Sequence, residues 1–157
     1  FENLTNAVLG HGARQFGRMG VDEVHARLGS DAVDAFDDEC ILIKLNNTYS
    51  DAVKRSVIDL YDATRGTWKL SIDRARQAKF ALAVFGGVVR EVYEIAEWLP
   101  AGSTIYVDPN RDVLAPKRYE FVGRVASEFV RKRYRWKSVA HLYKPGAANP
   151  IMYAGPK

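Results

Sequence analysis

Apolar residues fall in short runs along the chain, broken by glycine, asparagine and acidic clusters, and the period of each run predicts its structure. Val21 to Leu28 has helical spacing and ends at Gly29, a usual stop. The acidic stretch Asp31 to Glu39 reads as a linker. Ile41-Leu42-Ile43-Lys44-Leu45 is a strand closed by the turn signal Asn46-Asn47. Ser50 or Asp51 can cap a helix whose Val53, Val57, Leu60, Tyr61 and Thr64 share one face, with Gly66 ending it. A second short helix is expected from Ser71 through Ala78. Phe80 to Phe85, Gly86-Gly87 and Val88 to Trp98 predict a hairpin, because paired glycines supply the positive φ angles of a tight turn. Arg118 to Val125 reads as a further strand, with Tyr119, Phe121 and Gly123 on one face and Glu120, Val122 and Arg124 on the other. A brief helix over Ser127 to Arg133 and a closing strand over Pro150 to Tyr153 complete the pattern. Strands outnumber helices, and a helical pair follows the first strand. The expected fold is therefore α+β, with a curled or closed mixed β-sheet.

Charge sharpens the division of the chain. Residues 1–40 carry three basic and eight acidic side chains, whereas residues 41–157 carry twenty basic and eleven acidic. A boundary near residue 40 follows. Between Lys117 and Lys144 there are nine Lys/Arg against Glu120 and Glu128, the footprint expected of a phosphate-binding surface. A solvated face balanced by acids elsewhere in the fold produces the same count. With 157 residues, 47% of them hydrophobic, the chain can bury a core of its own. No apolar run is long enough to span a bilayer, and the expectation is a cytoplasmic protein without membrane contact. The opening Phe1-Glu2-Asn3 lacks an initiator Met, so the chain reads as a fragment or a processed form.

Several chemistries leave no trace. There is no GxxxxGK[ST] phosphate loop, no GxGxxG fingerprint and no GxSxG elbow. His11, His25 and His141 are scattered, and no metal or other cofactor is expected. Cys40 follows Asp37-Asp38-Glu39, which would raise its pKa and make it a poor nucleophile. What is present is aromatic and basic side chains interleaved. Arg65-Gly66-Thr67-Trp68-Lys69 sits at a helix end, where a loop can project the indole as a stacking platform; an indole plugging the core is the plainer alternative. Arg131-Lys132-Arg133-Tyr134-Arg135-Trp136-Lys137 is denser still, and predicts Tyr134 and Trp136 turned inward with the cations facing solvent. Trp98 is expected in the core. Lys117, Arg118, Arg131, Lys132, Arg133, Arg135 and Lys137 are the candidate phosphate contacts.

Two resemblances extend this reading. Leu4-Thr5-Asn6, Gly10-His11 and Phe16-Gly17-Arg18-Met19 resemble the last stretch of a GIY-YIG nuclease branch that includes the animal LEM-domain ankyrin nucleases and bacterial relatives. The resemblance makes Asn6 the counterpart of the asparagine that closes the catalytic module. The GIY and YIG elements, the catalytic arginine and the metal-binding glutamate are missing here, which implies that the nuclease module lies upstream in the same polypeptide. Residues 41–157 look like the domain that follows in bacterial members, through Tyr61 to Leu70, Ala81 to Tyr93, Arg118 to Gly123, Lys137-Ser138-Val139 and Asn149-Pro150-Ile151. That region is also similar to the PUA-like barrels of the EVE, ASCH and YTH groups, several of which read RNA or modified bases in an aromatic-lined pocket. The likeness implies Trp68 as the platform, Arg65, Lys69 and Arg90 as its polar neighbours, and Tyr93, Trp98 or Tyr119 as further walls for a flipped or modified base. The expected function is thus a nucleic-acid-binding accessory domain, with DNA or RNA as partner and no catalysis of its own. A small metal-dependent nuclease or hydrolase, and a protein-interaction domain, stand as alternatives.

Overall fold

The computed structural model describes residues 28–45 and 56–157. The helix expected over residues 21–28, all but its last residue, lies outside that range, as do Asn6, the Asn46-Asn47 turn and the Ser50 or Asp51 cap. Elements follow in the order β1 (Cys40–Lys44), α1 (Val57–Arg65), β2 (Gly66–Trp68), α2 (Ile72–Ala75), β3 (Phe80–Phe85), β4 (Val88–Pro100), β5 (Tyr119–Val125), α3 (Glu128–Tyr134) and β6 (Ile151–Ala154), with a 3-10 turn at Ala140–Leu142. The strands form one mixed sheet in the order β2-β5-β4-β3-β1-β6, curled into a half-barrel. β1 and β3 run parallel, and every other pairing is antiparallel. The sheet is curled and open rather than closed, since β2 and β6 are its edges.

Both faces of the sheet are covered, and alternation along each strand feeds two cores. Cys40, Leu42, Leu82, Val84 and Val92 pack with Tyr134 of α3 on one side. Ile41, Ile43, Ala81, Ala83, Tyr93, Trp98 and Phe121 pack with Leu60 and Tyr61 of α1 and Ala75 of α2 on the other. Gly86 and Gly87 both take positive φ, 59° and 76°, so the hairpin turn is the one their sequence predicts. A Cβ at Gly123 would strike the Glu94 carbonyl oxygen, which explains glycine in the middle of β5. The Tyr61 hydroxyl accepts the Gly123 N–H at 2.9 Å and so locks α1 onto β5.

Two expectations change here. The acidic segment before β1 is no free linker. Val33 is buried, its N–H donates to the Ser138 carbonyl at 2.9 Å, and Phe36 stacks on Tyr134 with centroids 5.5 Å apart. Residues 66–68 form the edge strand β2 instead of a projecting loop; three residues are too few to show a period of two. Glu120 of β5 is fully buried, under the segment 102–106 that joins β4 to β5.

Cys40 is buried at the start of β1, and its thiol is pushed up from 9.0 to about 12, first by desolvation and then by Asp38 and Glu39. Its proton is held in the folded state and lost first in the unfolded chain, so this group lowers stability as pH rises from 9 toward 12. At pH 10.5 the contribution is about 2 kcal/mol. Urea titrations at pH 7.5 and 10.5 should show a smaller loss for Cys40→Ala than for the wild type, and equal losses would refute this account.

Candidate nucleic-acid interface around Trp136

The basic and aromatic residues singled out in the sequence separate into two regions at opposite ends of β4. Trp136 N–H donates to the Val89 carbonyl at 2.8 Å and Val89 N–H donates to the Lys137 carbonyl at 3.0 Å, so residues 136–139 run beside the start of β4. Trp68 pairs with Tyr119 of β5, which pairs with Pro100 at the far end of β4. At about 3.3 Å per residue, the two ends of β4 are roughly 40 Å apart along the strand. Lys117 and Arg118 therefore belong with Trp68, and Arg131 to Lys137 with Trp136.

At the Trp68 end the expected base cage does not assemble. Tyr93 is fully buried in the core, tilted against Tyr61 and Phe121, and burial keeps its phenol protonated to unusually high pH. Arg65, 3% exposed, is consumed internally by Asp62 at 2.7 Å, the Thr104 hydroxyl and the Ile105 carbonyl. Trp68 is half-buried and donates its indole N–H to the Thr64 carbonyl at 2.7 Å, which fits the core alternative more closely than the platform. Tyr119 packs on the same core, while Lys69 is exposed. Arg118 reaches the Thr67 carbonyl at 3.1 Å, holding β2 to β5.

What dominates this end is a buried polar network that the sequence did not announce. Glu120 accepts the backbone N–H groups of Gly102 (3.0 Å) and Thr104 (2.8 Å), the Thr104 hydroxyl (2.7 Å) and the Tyr106 hydroxyl (3.1 Å). Asp62 accepts Val107 N–H at 2.7 Å, and Arg111 donates to the Asp62 and Gly66 carbonyls. The guanidinium of Arg65 lies 3.7 Å from the Tyr106 ring centroid. Desolvation raises the Tyr106 pKa, Arg65 opposes that shift, and Glu120 adds to it. These groups bond to one another and pin the long connection between β4 and β5.

The other end is built differently. At the hairpin, Ala83 faces Glu91 and Val84 faces Val89, leaving Arg90 as the extra residue of a β-bulge. Bulges re-aim side chains. Here Arg90, itself only 3% exposed, donates to the Phe85 carbonyl at 3.3 Å and underlies the Trp136 ring, its guanidinium 5.6 Å away. Arg90 is thus a neighbour of Trp136, not of Trp68. Arg135 lies 5.1 Å from the same ring and donates to the Arg90 carbonyl at 3.0 Å. Of the two aromatics expected to turn inward, Tyr134 does and Trp136 does not. Trp136 is 44% exposed, and its backbone takes φ 63°, a left-handed conformation that costs an L-residue about 1–2 kcal/mol. The chain must reverse there after α3, and the hydrogen bonds to Val89 hold it in place.

The cations around Trp136 are partly neutralised. Glu91, buried, takes Arg131 bidentately at 2.9 Å through Nε and Nη2, and Arg135 approaches it at 3.6 Å. Arg131 also meets Glu128, and these carboxylates, Glu91 foremost, raise its pKa. Arg133 pairs with Asp37 at 3.1 Å and Asp38 at 3.5 Å. Balance by acids elsewhere in the fold therefore accounts for three of the predicted phosphate contacts. Lys132 and Lys137 carry no ion pair among the described residues.

Elsewhere, a polar hollow of about 260 Å³ lies between α2 and β6, lined by Glu39, Arg74, Gln77 and Tyr153. A shallower one of about 540 Å³ lies over the β4–β5 bulge at Ile95 and Gly123. Neither is lined by a tryptophan. Among the described residues no group of His, Cys, Asp and Glu could hold a metal ion, and no helix is long and apolar enough to cross a membrane. Compared with known protein families, curated protein sequences and solved structures, the chain matches none.

Proposed function

We propose that this chain is a nucleic-acid-binding module whose contact surface centres on Trp136. The observation that carries the reading is an indole displayed to solvent on a left-handed backbone, with Arg90 and Arg135 against its ring and Lys132 and Lys137 nearby. An exposed tryptophan on an unfavourable backbone contributes little to stability, and such outliers concentrate at binding sites. A base can stack on it while Lys132 and Lys137 hold phosphate. The curled sheet with helices after its first strand supports a PUA-like relationship. The resemblance of residues 4–19 supports service to an upstream GIY-YIG nuclease.

Because Arg131, Arg133 and Arg135 already have acidic partners, the salt dependence should be shallower than nine clustered cations suggest. With about two phosphates neutralised, by Lys132 and Lys137, the slope of log K against log salt should be roughly −2. Anisotropy titrations of labelled DNA and RNA oligonucleotides from roughly 25 to 200 mM salt test this. Undetectable binding to every oligonucleotide at the lowest salt overturns the function.

A further inference from the structure

The outer face of α3 carries a second exposed ring. Phe129 is 68% exposed, and the Arg133 guanidinium lies 4.4 Å from its centroid. Phe129, Lys132 and Arg133 stand at i, i+3 and i+4 and share one face, while Val130 and Tyr134 turn to the core. Trp136 follows where the helix ends. Two aromatic–arginine sites therefore bracket Lys132, one on the helix and one just past its end.

We infer that the ligand is single-stranded, with at least two unpaired bases stacked on Phe129 and Trp136 and the phosphate between them held at Lys132. This inference rests on the nucleic-acid reading above and narrows it. A phenyl ring has no hydrogen-bonding group with which to read a base edge, so its use in such a surface is to offer a face. In a duplex the base faces are occupied by their neighbours. An exposed phenylalanine beside an arginine thus fits unpaired bases and gains nothing from a groove. The free cation between the rings adds the charge complementarity that a backbone requires.

The full chain would be titrated with one ten-nucleotide sequence in three forms: single-stranded, hairpin duplex, and single-stranded with abasic sites. The single strand should bind at least tenfold more tightly than the other two. Phe129→Ala should weaken it roughly tenfold, within the range of one lost stack, and leave duplex and abasic affinities unchanged. The variant should melt like the wild type, because the ring is exposed. Equal affinity for all three forms, or a silent Phe129→Ala, overturns this inference while leaving nucleic-acid binding standing. Absence of binding to any form overturns both. Phe129-dependent binding to vesicles containing anionic lipid, with no preference among the oligonucleotides, would assign the stripe to a membrane surface instead.

Discussion

Trp136→Gly is expected to lower affinity for oligonucleotides by one to two orders of magnitude while shifting the melting temperature by only a few degrees. The two effects come apart for a physical reason. Glycine adopts φ 63° freely, so the substitution recovers about 1–2 kcal/mol of backbone cost, which offsets the packing lost from a half-exposed indole. Binding has no such compensation, since a stacked base is worth about 1–3 kcal/mol and the arginines beside the ring lose their shared partner. Replacing Lys117 and Arg118 together by alanine is the matching control. They lie roughly 40 Å away along β4, and their loss should leave affinity within a factor of about two, as expected of distant screened charges. If the distant pair matters as much as Trp136, the interface has been placed on the wrong end of the sheet.

The hairpin from Phe80 to Trp98 was legible because it is long, regular and punctuated by Gly86-Gly87. The strand at Ile41 and the helix at Glu128 were legible for the same reason: each has enough residues to show its period. The interface was only half legible. Composition picked out Arg131 to Lys137, but local sequence does not say which aromatic faces in. Tyr134 is drawn inward by stacking on Phe36 and by its hydroxyl accepting the Asp37 N–H, both set by a segment nearly a hundred residues away. Trp136 is turned outward by a left-handed residue at a position where glycine is the usual signal. Arg90 was paired with the wrong tryptophan because a bulge, which shifts its direction, leaves no mark in the sequence. The acids that neutralise Arg131 and Arg133 lie on other elements, so a count along the chain overstated the free charge.

Glu120 is the residue whose loss should cost most in stability. It is fully buried, and four donors and the Arg65 guanidinium depend on it. Glu120→Ala leaves the N–H groups of Gly102 and Thr104 without an acceptor and leaves Arg65 with Asp62 as its close acidic partner, at an expected cost of about 3–5 kcal/mol. Glu94→Ala gives the contrast: its pair with Arg124 is exposed and should be worth less than about 1 kcal/mol. Urea denaturation of the two variants measures the difference, and comparable losses would show that the network is not the anchor described. Limited proteolysis locates the effect, because the backbone groups released by Glu120→Ala lie at residues 102 and 104, so cleavage should begin between β4 and β5. The variant's folded fraction should still bind oligonucleotides through Trp136, since the network braces one end of the sheet and the contact surface occupies the other.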